Sequence, residues 1–365
     1  MDIQQIIEQY RNVVIQIATP YSTGTGFYLS EYDIIVTNEH VVRDNKKVVI
    51  NGKAMEKQMA TVLYVDPKYD LAFLAPPIKH EMPSIRFSEK EKFQQGDTVI
   101  AVGHPFGLKF TATQGIISSL GHVQKNITYL QHDAALNPGN SGGPLIDLDG
   151  NVIGVNTFII RNGNNIGFSL PVKTLQTALI DFTKGMGESG VRCNSCSNVV
   201  FENAVESGYC NMCGSEIKMI SNLESYEAVG INKSIEELLI DLGYDIDLSR
   251  KGPSNWEIIH GSADIQVSYY EKTGLIVGDA FLCRLPKKDI KPIYTFLLQQ
   301  NFNLEGLTFS VKDQAIILSL LIYDQYFRLD TAKELFRQLF ETADKYDIQL
   351  VEEYGAEWKS DVKKS

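Results

Sequence analysis

The chain has 365 residues, 44% of them hydrophobic, which is enough for two or three cored domains. Its 45 acidic against 34 basic residues leave a net charge of −11, which repels phosphate backbones and argues against nucleic-acid partners. It has no apolar run of the roughly eighteen residues that a membrane-spanning helix needs, so no membrane partner is expected.

Residues 1–10 form an amphipathic, acidic-to-neutral segment without a basic start or an apolar centre. Such a segment is not a secretory leader, and the expectation is a cytoplasmic chain. Short β-branched runs follow, among them residues 13–17, 48–50, 99–102 and 152–155, separated by Gly, Asn and Asp turns. Many short strands of this kind predict an all-β double barrel. Residues 172–184 read as a closing helix, giving a first domain over residues 1–184, and residues 184–190 read as a linker.

Three places in the first domain carry chemistry. Ser141 lies in the run Gly139-Asn140-Ser141-Gly142-Gly143-Pro144, after the turn residues Asn137-Pro138. By itself this is also an ordinary Gly-rich turn. It is equally how a chain presents a hydroxyl beside backbone N–H groups that hold an oxyanion. A serine hydroxyl needs a base, and the base needs an orienting carboxylate. Of six histidines, His40 follows a strand-like run and enters the apolar pair Val41-Val42. Asp70 opens the apolar run Leu71-Ala72-Phe73-Leu74, while its rival Asp66 is placed in the preceding turn by Pro67.

The order His40, Asp70, Ser141 is that of the chymotrypsin class. The blocks Thr37-Asn38-Glu39-His40-Val41-Val42, Asp70-Leu71-Ala72-Phe73-Leu74 and Gly139-Asn140-Ser141-Gly142-Gly143-Pro144-Leu145 resemble those of an HtrA/DegP-like trypsin-fold protease. Ser22-Thr23-Gly24-Thr25-Gly26-Phe27 and Val102-Gly103-His104-Pro105-Phe106-Gly107-Leu108 resemble two further blocks, with His104 where that family has asparagine. The resemblance covers residues 10–180. It implies His40, Asp70 and Ser141 as the catalytic set and an oxyanion hole at Gly139, Asn140 and Ser141, with no catalytic cofactor. It also implies a substrate pocket at Ala135, Asn156, Thr157, Gly167 and Phe168. With Ala135 in place of an acidic floor, a small or medium apolar residue before the scissile bond is expected, rather than Lys or Arg.

The cysteines form a second pattern, Cys193-x₂-Cys196-x₁₃-Cys210-x₂-Cys213. Two such knuckles supply four thiolates to one structural zinc. Two disulfides are the alternative, disfavoured if the thiols are cytosolic. The segment over residues 191–218 resembles a zinc ribbon.

Beyond it, residues 234–243 read as a helix with a Ser234/Glu237 capping box and Gly243 at its end. Strand-like runs cover residues 256–260, 263–270 and 274–284, then a helix at 287–300, strands at 307–311 and 314–323, and an amphipathic helix at 331–347. This order predicts an α+β domain with an antiparallel sheet over residues 226–354, with a flexible tail at 355–365. The order is similar to the YbjN/type III secretion chaperone-like fold, which implies protein binding or a homo-oligomer. No stretch resembles the PDZ domain that follows the catalytic part in HtrA-like proteases.

The expected function is thus a serine endopeptidase acting on protein or peptide substrates, regulated by a protein partner through the C-terminal domains. The alternative is a catalytically silent protease-fold scaffold.

Overall fold

The computed structural model describes residues 2–90, 92–104, 110–124, 126–159, 166–205 and 208–358. Residues 105–108 of the Val102-to-Leu108 block and residues 359–365 of the tail lie outside it. The chain divides into two compact units, Met1–Tyr226 and Glu227–Ser365.

The first unit contains two six-stranded barrels. The first is built from β1 (Val14–Ala18), β2 (Thr23–Leu29), β3 (Ile34–Thr37), β4 (Lys47–Gly52), β5 (Met55–Asp66) and β6 (Leu71–Leu74), closed by pairing of β5 with β6. The second closes as β10-β11-β12-β9-β8-β7, from β7 (Thr98–Gly103), β8 (Thr111–Gln124), β9 (Ile127–His132), β10 (Pro144–Ile146), β11 (Val152–Ile159) and β12 (Gly167–Pro171). The β-branched runs become strands because both faces of β1 and β3 are buried. Helix α1 (Ile3–Arg11) inserts Ile6 and Tyr10 into a core shared with α3 (Val172–Thr183), whose Leu175, Leu179 and Phe182 face inward. A four-residue helix, α2 (Glu39–Val42), follows β3.

The cysteine segment, expected as a module beyond a linker, instead extends the first barrel's sheet. Strand β13 (Gly190–Arg192) pairs in parallel with β5 and antiparallel with β14 (Val199–Phe201). Cys193 and Cys210 share one buried cluster with Val41, Val42 and Val191, so this segment has no separate core.

The second unit is a five-stranded antiparallel sheet, ordered β15-β16-β17-β19-β18. Its strands are β15 (Asn255–His260), β16 (Ala263–Tyr270), β17 (Leu275–Arg284), β18 (Leu307–Lys312) and β19 (Ala315–Tyr323). Its helices are α4 (Gly230–Asp241), α5 (Ile246–Ser249), α6 (Ile290–Asn303) and α7 (Leu329–Tyr354). The apolar stripe of α7, including Phe336, Leu339, Ala343 and Leu350, packs in one core with Ile265, Val267 and Leu318 of the sheet. Three expectations shift. Helix α4 begins at Gly230 behind an extended Val229, so Ser234 lies inside the helix and caps nothing. Helix α6 starts and ends three residues later than its pattern suggested, and α7 continues to Tyr354.

Candidate active site

His40 is the second residue of α2, and Asp70 is the last residue before β6. Antiparallel pairing of β3 with β6, Thr37 opposite Ala72, sets their backbones side by side. The imidazole Nδ1 lies 2.8 Å from Asp70 Oδ2 and 3.0 Å from Oδ1, and the His40 backbone N–H donates to Oδ1 at 3.0 Å. Asn38 adds a bond from Nδ2 to the Asp70 carbonyl at 2.7 Å. Asp70 has φ +53°, a left-handed conformation that aspartate tolerates better than most residues.

The turn holding Ser141 comes from the second barrel but is locked to the first. Thr25 N–H donates to the Ser141 carbonyl at 2.8 Å, and Thr25 Oγ1 donates to the Gly139 carbonyl at 2.6 Å. Gly142 N–H donates to the Asn156 carbonyl, and Asn156 N–H returns a bond to Gly143, each at 2.8 Å. Gly142 sits at φ +85°, where a Cβ would lie 2.1 Å from the Thr25 carbonyl oxygen and 2.3 Å from Thr37 Oγ1. Glycine is therefore a steric requirement of this turn as well as a conformational one. The Ser141 hydroxyl donates to the Thr157 carbonyl at 3.2 Å, and among the described residues no hydrogen bond joins it to His40.

The residues expected at a pocket divide. Asn156 shares a sheet face with Ser169, and Phe168 lies on the opposite face of β12, in the core shared with α1 and α3. Asn156 Nδ2 donates to the Pro144 carbonyl at 3.1 Å, and the Phe168 ring belongs to the core. Thr157 meets Ser141 through its backbone. Ala135 accepts at its carbonyl from Thr113 Oγ1 at 2.9 Å. Gly167 leaves room for two neighbours, since a Cβ there would meet His132 Cε1 at 2.6 Å and Leu136 Cδ1 at 3.0 Å. His132 was not singled out by its sequence context. It is fully buried, with Nε2 3.0 Å from Ser169 Oγ, which donates to Asn156 Oδ1 at 2.9 Å. Burial pulls its pKa down to about 4, against smaller opposing effects of the Ala134 backbone and Asp133.

The four cysteines converge. All four Sγ atoms lie within 4.8 Å of one another, with Cys193–Cys213 and Cys196–Cys210 each at 3.7 Å. Each knuckle closes in the same way. Ser197 N–H donates to Cys193 at 2.9 Å, Gly214 N–H donates to Cys210 at 2.8 Å, and both donors have positive φ. Asp66, passed over for Asp70, is wholly buried and bonded to Arg192.

Residues 24–155 match the family model of the trypsin-like peptidase domain. Together with the two barrels, this defines the class: the first unit is similar to a trypsin-like peptidase domain over these residues. Its named relatives are HtrA-type proteases. The "Probable periplasmic serine endoprotease DegP-like" of Chlamydia muridarum (strain MoPn / Nigg) is 44% identical over 155 residues, which is 40% of this chain and 31% of that protein. Its namesake from Chlamydia pneumoniae is 46% identical over 156 residues, 40% of this chain and 32% of that protein. "Serine protease HTRA2, mitochondrial" of Bos taurus is 41% identical over 167 residues, 44% of this chain and 36% of that protein. The crystal structure of a serine endoprotease from Yersinia pestis aligns at 28% identity and a TM-score of 0.47, covering 51% of this chain and 68% of that one. The chain spans about a third of the length of the curated relatives above.

These names correct the cytoplasmic expectation, because the relatives are named periplasmic or mitochondrial. The residues that prompted it form α1 and belong to the folded core, so their lack of leader character carries no information about location. The compartment argument against disulfides falls with it. Among the described residues, no helix is long and apolar enough to cross a membrane.

Proposed function

We propose that this chain is a serine endopeptidase that cleaves protein substrates by acyl transfer. Ser141 Oγ attacks the scissile carbonyl while His40 takes its proton and later delivers it to the leaving amine. Asp70 holds the imidazole by Nδ1 and stabilises the imidazolium, leaving Nε2 for the serine. The N–H groups of Gly139 and Ser141, with Asn140 shaping the turn, receive the oxyanion, a contribution worth about 10²–10³ in turnover per donor. The observation that carries this reading is the two-point contact of His40 with Asp70 beside a serine turn pinned to both barrels.

Ala135, with Leu136 beside Gly167, supports preference for an apolar residue before the scissile bond, with Thr157 and the backbones of Asn156 and Phe168 forming the walls. The Ser141 hydroxyl must leave the Thr157 carbonyl before it can serve His40. This resting orientation supports low basal activity raised by a protein partner or by substrate. The second unit is the candidate receiver of that partner. Its element order, α4-α5-β15-β16-β17-α6-β18-β19-α7, supports a YbjN/secretion chaperone-like reading.

Cys193, Cys196, Cys210 and Cys213 would hold one structural zinc. Tetrahedral Zn–S bonds of about 2.3 Å give S···S edges of about 3.8 Å, close to the 3.7 Å pairs here and far from the roughly 2.05 Å of a disulfide. Bound there, the metal would supply cross-linking and no chemistry at Ser141.

Hydrolysis of fluorescent casein by the wild type and by Ser141→Ala tests the proposal. Cleavage confined to the wild type is expected. Equal cleavage by both removes Ser141 as the nucleophile, and none by either leaves the scaffold reading.

A further inference from the structure

Arg192 stands one residue before Cys193, yet its guanidinium turns away from the thiols. It is 5% exposed and donates from Nε to Asp66 Oδ2 at 2.5 Å, from Nη2 to Asp181 Oδ2 at 3.0 Å and from Nη1 to the Ser197 carbonyl at 2.8 Å. Asp66 closes β5, and its Oδ1 accepts from Tyr69 N–H at 3.0 Å. Residues 66–70 therefore form one turn, gripped at its head by Asp66 and ending on Asp70. The guanidinium also lies over the Tyr69 ring, 5.2 Å from its centre.

We propose that Arg192 is a positioning residue for the acyl-transfer centre. Through Asp66 and the turn to Tyr69 it fixes Asp70, and so the His40 ring. This rests on the reading of His40, Asp70 and Ser141 as the reacting set. Three features favour positioning over simple packing. A buried ion pair is a poor source of stability compared with apolar neighbours of the same size. A planar guanidinium with fixed donors is suited to setting direction, and here it joins three elements: the β5–β6 turn, α3 and the first knuckle. Finally, Asp70 directly follows the turn that Asp66 grips through the Tyr69 N–H, so the hold on that turn sets where its carboxylate points. The four-cysteine segment thereby reaches the reacting groups along a defined route, from the knuckle through Arg192 and Asp66 to Asp70.

The test is steady-state hydrolysis of a chromogenic peptide ester with an apolar residue before the scissile bond, together with the rate of fluorophosphonate labelling. The variants are Arg192→Met, Arg192→Lys and the double variant Arg192→Met with Asp66→Asn. The double variant leaves neither charge of the pair orphaned, and the introduced asparagine side chain keeps an acceptor for the Tyr69 N–H. It therefore carries the test should Arg192→Met not fold. The expected result is a kcat about 10- to 100-fold lower, with KM within about twofold. The labelling rate should fall in parallel, zinc stoichiometry should be unchanged, and Arg192→Lys should recover part of the rate. A folded double variant with wild-type kcat and labelling rate overturns the role of Arg192 alone. A wild-type chain that takes no label overturns the reading beneath it.

Discussion

At the scale of single residues, the site depends on two carboxylates that the sequence sets four positions apart. Asp66 closes β5 and Asp70 directly precedes β6. The sequence places Asp66 in the Asp66-Pro67 turn and leaves Asp70 as the partner of His40, and it is Asp70 whose carboxylate meets the imidazole. The partner of Asp66 was not legible, because Arg192 lies far along the chain and only tertiary folding brings it there. Replacing Asp70 with Asn should lower kcat by about 10³–10⁴, through the wrong imidazole tautomer, without unfolding the protein. Retained turnover in a folded Asp70→Asn variant would count against the assigned role. Gly142→Ala should fail differently, because its Cβ has no room against Thr25 and Thr37. Loss of activity with a lowered unfolding midpoint is expected, and a fully active, fully stable variant would show that the turn relaxes freely. His132 gives a pH dependence. Its neutral form is favoured by burial, with a folded pKa of about 4 below an ordinary value near 6.5. Between those values the unfolded chain binds more protons, so stability is full above about pH 6.5 and falls as pH drops toward 4. The loss is on the order of 3 kcal/mol. Urea midpoints against pH should show this slope in the wild type and a weaker one in His132→Gln. Equal slopes would remove His132 from the account.

At the scale of elements, the β-branched runs and Gly/Asn/Asp turns were sufficient to read the barrel strands, because both faces of several are buried and propensity agrees with packing. Helix starts were harder. Ser234 and Glu237 match a capping box in sequence, but α4 begins four residues earlier, at Gly230. Local cap chemistry lost to apolar packing of Ile235, Leu238 and Leu239 within a longer helix. The cysteine spacing made the four-cysteine cluster legible, while its merger with the first barrel was not, since the parallel pairing of β13 with β5 leaves no local signature. That merger has a consequence. Because Cys193 and Cys210 share a cluster with Val41 and Val42 beside His40, stripping metal should loosen the barrel as well as the knuckles. A chelator should lower both the unfolding temperature of the first unit and its hydrolytic rate. An unchanged melting curve after complete metal removal would contradict this.

At the scale of the molecule, the two units have separate cores, and the second buries its own sheet under α4, α6 and α7. A fragment of residues 227–358 should therefore fold alone, with a cooperative thermal transition and mixed helix and strand circular dichroism. A non-cooperative melt would show that it needs the first unit. The first unit is proposed to be an acyl-transfer enzyme working through Ser141. The most direct test is labelling of the whole chain with a fluorophosphonate, followed by mass mapping of the modified residue. One phosphonyl adduct on Ser141 is expected, abolished by Ser141→Ala and slowed by Asp70→Asn. An adduct elsewhere, or none on Ser141 in the folded, metal-loaded chain with its substrate present, would contradict the proposal.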